Sequence, residues 1–172
     1  MEGFAVEGFK LVDDAGLDAA SRPLLEAAAL LHDVGYCVSY DSHHKHSHHL
    51  ISHAELPGFG PEERMLIAAI ARYHRGALPK AKHPEFAALD AEGRRTVEQL
   101  AALLRVADGL DRSQAQRVGH LAVAWGPDRV EVRVGGVPPL DAEIHGAERK
   151  ADLFERVFGR QVVVRAETTV GT

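Results

Sequence analysis

The sequence has few of the features that would place a protein outside the cytoplasm. Cys37 is the single cysteine among 172 residues, which excludes an internal disulfide framework and fits a reducing compartment. The longest apolar run, Met65 to Ala71, is far too short to cross a bilayer. The first residues, Met1-Glu2-Gly3, lack the basic start of a secretory signal. We therefore expect a cytoplasmic protein that does not span a membrane.

Positive charge is also scarce. Lys and Arg number 20 against 25 Asp and Glu, which gives a net charge of −5. Non-specific binding to nucleic acid depends on a basic surface, so this class of function is not expected. Any polyanion must instead bind in a local pocket. Apolar residues at 45% and charged residues at 26% are typical of a globular domain.

Helical periodicity extends from the start of the chain to about residue 115. Leu25, Ala28 and His32 follow the spacing of an amphipathic helix, with Ser21 as its expected cap and Gly35 near its expected end. The pattern predicts further helices, which are Phe4 to Asp14, Pro61 through His74, and Glu92 through Asp108.

After Gly119 the apolar period changes from that of a helix to that of a strand. The pattern predicts a hairpin, a helix ended by Gly159 and a last strand, over Leu121–Trp125, Arg129–Val134, Ala147–Phe158 and Gln161–Ala166. We expect a mainly α protein, with a helical domain over residues 1–117 and a small α+β subdomain over residues 118–172.

Ionisable residues occupy three inner helix stripes where apolar residues are expected. They are His32, followed directly by Asp33, together with His74 and Asp108. Burying such groups is costly unless something cationic holds them together, and imidazoles and carboxylates are common ligands of divalent metals. A metal of this kind supports phosphohydrolase chemistry, with His32 and Asp33 as the predicted catalytic pair.

Each of these residues also has a structural interpretation. His32 is compatible with a helix end capped by Asp33, and His74 with a hydrogen-bonded core histidine. Asp108 is compatible with a partner for Arg105 or Arg112, because these residues lie one helical turn away. The presence of ionisable side chains on three separate helix stripes favours the metal site.

Histidine is unusually abundant, with 11 in the chain and six between His43 and His53. In this run we favour His44 and His46 as site residues and expect the others, His43, His48, His49 and His53, to be solvated. Basic residues near the predicted ligands indicate an anion pocket, with Lys45, Arg75, Arg105 and Arg112, together with His44, as candidate phosphate-binding residues. Arg72 is expected on a solvated face, and Cys37 as a small buried residue.

Several motifs resemble a known family. Leu30-Leu31-His32-Asp33-Val34-Gly35 and Leu104-Arg105-Val106-Ala107-Asp108 are similar to the metal-binding signatures of the HD superfamily of phosphohydrolases. The chain further resembles the C-terminal HD-type domain of exopolyphosphatases and guanosine pentaphosphate phosphatases through His44-Lys45-His46-Ser47, Leu56-Pro57-Gly58-Phe59, Arg72-Tyr73-His74-Arg75-Gly76 and Leu103 to Ser113.

The resemblance implies an HD-domain helical bundle with a small α+β appendage. It places His32, Asp33, His74 and Asp108 on metal-site positions, with His46 (and His44 beside it) on the position between Asp33 and His74. It implies a divalent metal, which could be Mn, Mg, Zn or Fe. The further histidine that such sites have on the first helix has no counterpart, since no histidine precedes His32.

Two functions follow as expectations. The first is a metal-dependent phosphohydrolase acting on polyphosphate, guanosine polyphosphates or nucleotides. The alternative is a non-catalytic polyphosphate- or nucleotide-binding or dimerisation module, because the family's phosphatase chemistry is attributed to an actin-like domain that nothing in this sequence resembles. The expected partners are a phosphate-containing small molecule or polyphosphate and a second copy of the chain.

Overall fold

The computed structural model describes residues 17–167. The predicted helix over Phe4 to Asp14 lies outside the described residues. The chain forms two compact units, one over Asp18–Leu104 and one that begins at Arg105. The domain boundary at residues 117 and 118 stays a prediction.

The first unit is helical. Its elements are α1 (Ser21–Leu31), a 3₁₀ helix (Val34–Cys37), α2 (His43–His53), α3 (Pro61–Arg72), the short α4 (Pro84–Ala87) and α5 (Ala91–Gly109), which runs across the boundary. α3 contacts both α1 and α2, and α2 also contacts the 3₁₀ helix. Apolar stripes at helical spacing form the core, including Leu25, Ile67, Ile70, Val97 and Leu100.

The sequence predicts the start of α3 correctly but not the residue that caps α1. Pro61 begins α3, and the Gly60 amide donates to Glu63 Oε2 at 2.7 Å, as the proline and early carboxylates predict. The prediction that Ser21 caps α1 is wrong, because Ala20 occupies the N-cap position. Asp18 Oδ1 instead accepts a hydrogen bond from the Ser21 amide at 3.0 Å. This carboxylate therefore gives one amide at the start of the helix the partner that it lacks within the helix.

The second unit contains a three-stranded sheet in the order β1 (Val118–Trp125), β2 (Arg129–Gly136), β3 (Gln161–Ala166). β1 and β2 are antiparallel, with Val123 opposite Val132, which confirms the predicted hairpin. β2 and β3 are parallel, and the chain between them forms α6 (Asp141–Arg149) and α7 (Asp152–Phe158). The predicted mainly α architecture with a small α+β appendage is therefore confirmed.

Three details of the prediction are wrong. The helix predicted over Ala147–Phe158 is two helices, since it breaks between Arg149 and Asp152 and the first begins at Asp141. Cys37 is exposed rather than buried. Arg72 is buried rather than solvated, because its guanidinium pairs with Glu85 at 3.4 Å across the loop that follows α3. The predicted terminator Gly159 is confirmed by its left-handed φ of 64°.

Within residues 17–167, no helix combines the length and the apolar character that a membrane span requires.

The junction between α1 and α2 is held by close backbone approach and one hydroxyl. Gly35 is buried against α2, where an added Cβ would overlap the carbonyl oxygen of His43 and the amide of Ser47. Ser47 Oγ accepts from the Gly35 amide at 2.9 Å and donates to the His32 carbonyl at 2.6 Å. One side chain of α2 thus fixes the residues on both sides of Asp33.

Replacing Gly35 with alanine is expected to lower the free energy of unfolding by about 3 kcal/mol, because the new methyl group meets backbone atoms that cannot move aside. Gly119→Ala is the control, since the nearest atom to its Cβ is 3.9 Å away. Urea unfolding measures both. Equal stability of the two variants would show that the approach is not tight.

Replacing Ser47 with alanine is expected to cost about 1–3 kcal/mol, because it leaves the buried Gly35 amide without an acceptor. Ser39→Ala, at an exposed position just beyond the 3₁₀ helix, is the matched control. Chemical denaturation of the two variants gives the comparison. A Ser47→Ala protein as stable as the control would contradict the bridging role of the hydroxyl.

Candidate metal centre

Four ionisable side chains meet in the first unit where three segments converge. His32 follows the last residue of α1, Asp33 precedes the 3₁₀ helix, His43 is the first residue of α2 and His74 lies just beyond α3. One ligand atom each from His32, Asp33 and His74 lie within 4.8 Å of one another. This triad could hold a metal ion.

The three imidazoles are anchored in the same way. The Nδ1 atom of each lies close to the carbonyl oxygen three residues earlier in the chain, at 2.7 Å for His32, 3.2 Å for His43 and 2.6 Å for His74. A carbonyl oxygen can only accept, so each Nδ1 carries the proton and donates it. At His43 the Tyr40 carbonyl is nearer to Nδ1 than the Arg75 guanidinium, which lies 3.5 Å from the same nitrogen. Each Nε2 therefore presents a lone pair, which is the arrangement usual for metal-binding histidines.

The Nε2 atoms are directed towards Asp33. His43 Nε2 lies 3.1 Å and His74 Nε2 3.6 Å from Asp33 Oδ1, and His32 Nε2 lies 3.4 Å from Asp33 Oδ2. The Nε2 atoms of His43 and His74 are 3.3 Å apart. Lone pairs facing each other and a carboxylate repel, and Asp33 Oδ1 is buried with no hydrogen-bond donor. A divalent cation would resolve this conflict, so the donor set fits a metal.

The cluster is buried on one side and open on the other. His43 and His74 are 1% exposed, whereas the side chain of His32 is 21% and that of Asp33 33% exposed. Burial lowers the pKa of His43, although the Tyr40 carbonyl and the Asp33 carboxylate act in the opposite direction. The lowered pKa favours the neutral imidazole of His43, which is the form that binds a metal.

His43 is the residue that sequence reasoning missed. The sequence predicts it in solvent, but its ring is buried and packs against those of Tyr36 and His74, with centroids 3.9 and 5.3 Å away. The signal was available in the spacing of four that joins His43, Ser47 and Ile51, the buried residues of α2.

The other predicted residues of this unit lie around the cluster. His44 is half-buried, with its ring centroid 5.9 Å from that of His43, and Arg75 Nη1 lies 3.5 Å from His43 Nδ1. His46 is half-buried one turn along α2, and Lys45 is exposed. Their roles in binding metal or phosphate stay predictions.

The remaining predicted residues belong to the second unit. The ammonium group of Lys150 donates to the Asp108 carboxylate. Arg105 is buried and donates from Nε and Nη2 to the two carboxylate oxygens of Asp152, at 3.1 and 3.3 Å. Arg112 is exposed. Both Asp108 and Arg105 thus have ionic partners within this unit, and their predicted site roles stay predictions.

The imidazole of His44 makes the stability of the protein depend on pH. Burial, followed by the nearby Arg72 guanidinium, lowers its pKa from 6.5 to about 4. The unfolded chain therefore binds more protons between these values, and the free energy of unfolding falls as the pH drops from 6.5 towards 4. We expect His44→Asn to weaken this dependence, measured as the melting temperature from pH 7.5 to 4.5. An unchanged slope would contradict it.

Comparison with known proteins places the sequence in a family. The family model described as "Ppx/GppA phosphatase, domain III" matches residues 5–130. Similar proteins named guanosine-5'-triphosphate,3'-diphosphate pyrophosphatase occur in Pseudoalteromonas translucida, with 37% identity over 49% of this chain, and in Aeromonas hydrophila, with 33% identity over 50%.

The similarity covers only part of these relatives. The matched region spans 16% of the Pseudoalteromonas protein and 17% of the Aeromonas hydrophila protein. A third relative of the same name, from Aeromonas salmonicida, is 31% identical over 49% of this chain and 16% of its own length. The family match nevertheless extends over most of the chain, and the protein therefore belongs to the Ppx/GppA phosphatase family, as a representative of its domain III.

Proposed function

We propose that this protein is a metal-dependent phosphohydrolase whose divalent ion is held by His32, Asp33, His43 and His74. The observation that carries the proposal is the convergence of three Nδ1-anchored imidazoles on Asp33, with the Nε2 atoms of His43 and His74 3.3 Å apart.

The donor chemistry limits the choice of metal. Imidazole nitrogen suits Zn and Fe, whereas Mn and Mg prefer oxygen ligands and Mg keeps several waters. Three neutral imidazoles and one carboxylate bring a charge of −1 towards a divalent ion, which leaves a net positive centre for an anionic substrate. Zn and Fe are therefore favoured over Mn and Mg.

The chemistry supplied by such an ion is the polarisation of a phosphoryl oxygen and the activation of water. The protein's own residues do the rest. His43 and His74 close the buried side of the centre to solvent, while Asp33, on the open side, is placed to accept a proton at Oδ2. Arg75 and Lys45 are the nearby cations of this unit that would hold phosphate oxygens.

The proposed substrates carry a phosphoanhydride or phosphoester. The relatives are named for the hydrolysis of a guanosine polyphosphate, and this name suggests guanosine polyphosphates first, with nucleotides and polyphosphate as the other members of the class. The alternative is a module that binds such a molecule without cleaving it.

The test compares the metal content of the purified, untagged protein with that of His43→Ala and His46→Ala. We expect near-stoichiometric metal in the wild type and in His145→Ala, and its loss in His43→Ala. The metal content of His46→Ala decides whether the predicted role of His46 as a ligand holds. Loss of a ligand should exceed the roughly 10–100-fold drop in affinity caused by changing an outer-shell partner. His145→Ala, at an exposed position on α6, controls for the removal of any histidine.

Turnover of guanosine polyphosphates, nucleotides and polyphosphate is measured on the same four proteins. Turnover that disappears with the metal in His43→Ala supports the phosphohydrolase. Metal retained by His43→Ala would contradict the proposed ligand set. Stoichiometric metal without turnover of any of these substrates would favour the binding module.

A further inference from the structure

A pair of histidines outside the candidate metal centre lies on the exposed side of α2. His49 and His53 are four residues apart, so they are neighbours on the helix surface, and their ring centroids are 4.4 Å apart. Both are exposed, in contrast to His43 on the same helix. Neither takes part in the proposed function, and nothing in the sequence analysis assigned them a role.

The hydrogen bonds of His53 fix its tautomer. Its Nδ1 lies 2.8 Å from the carbonyl oxygen of His49, which can only accept, so Nδ1 carries the proton. The Ser52 hydroxyl, 3.1 Å from the same nitrogen, donates to the same carbonyl at 3.0 Å and so supports this arrangement. The Nε2 atom of His53 therefore carries the lone pair, and an anchored Nδ1–H is the usual support of a metal-binding imidazole.

Two imidazoles at this spacing can bind one metal ion. Histidines at positions i and i+4 of a helix present both rings on one face, as in the zinc-binding helices of metalloproteases. We propose that His49 and His53 form a bidentate surface site for a divalent transition metal ion, completed by solvent. Because affinities of nitrogen donors rise along the first-row series to copper, Cu²⁺ binds this pair most tightly, ahead of Ni²⁺ and Zn²⁺.

This site is separate from the candidate metal centre. The centre uses His32, Asp33, His43 and His74 and lies on the buried side of α2, whereas this pair is exposed. The inference therefore does not rest on the proposed function.

The experiment is a Cu²⁺ titration of the full chain by calorimetry, with electron paramagnetic resonance to detect nitrogen coordination. The wild type is compared with His49→Ala and His53→Ala, and His145→Ala is the matched control. His145 is also exposed and donates from Nδ1 to the carbonyl four residues earlier, at 2.8 Å, but that residue is Asp141 rather than a histidine. Alanine is a better helix former than histidine, so α2 is expected to stay folded in both variants, which circular dichroism verifies.

We expect each single variant of the pair to bind one equivalent of Cu²⁺ fewer than the wild type, and His145→Ala to bind as many. Copper bound at the candidate metal centre is common to all four proteins and cancels in the comparison, so failure of the proposed function leaves this difference intact. Equal binding by wild type, His49→Ala and His53→Ala would overturn the proposal. A loss confined to one of the two variants, or shared by His145→Ala, would also overturn it, because a single imidazole would then suffice.

Discussion

The geometry of the candidate metal centre depends on the hydroxyl of Ser47. This one group accepts from the Gly35 amide and donates to the His32 carbonyl, so it holds the backbone on both sides of Asp33 against α2. Because Gly35 has no side chain, α2 can approach closely enough for His43, one turn before Ser47, to reach Asp33. A larger residue at either position would separate the donors of the candidate metal centre.

Backbone carbonyl groups also fix the orientation of the three imidazoles. Each of the three imidazoles gives its Nδ1 proton to a carbonyl three residues earlier, near the end or the start of a helix. Carbonyls at helix ends lack partners within the helix, so they are available to accept these bonds. His32 directly follows the last residue of α1, and His74 lies two residues after the last residue of α3. Because of these positions, carbonyls at the two helix ends orient both rings.

The sequence predicts the elements with strong apolar periodicity but not the contacts between distant residues. The stripes of α3 and α5 and the alternating valines of β2 repeat often enough to define their structures. Only Ser47 and Ile51 continue the stripe that begins at His43, too few to stand out in a segment rich in histidine. The burial of Arg72 depends on Glu85, which lies beyond a loop whose path local patterns do not encode. The break between α6 and α7 carries neither glycine nor proline, so no local signal marks it.

The order of the strands bears on how the second unit is assembled during synthesis. β2 lies between a neighbour that precedes it directly and one, β3, that follows only after two helices. Until residues 161–166 leave the ribosome, the hairpin has an unpaired edge along the valines of β2. Such an edge is open to pairing with other chains. The parallel pairing of β2 with β3 therefore does more than complete a small sheet, since it also closes a surface that would otherwise promote aggregation.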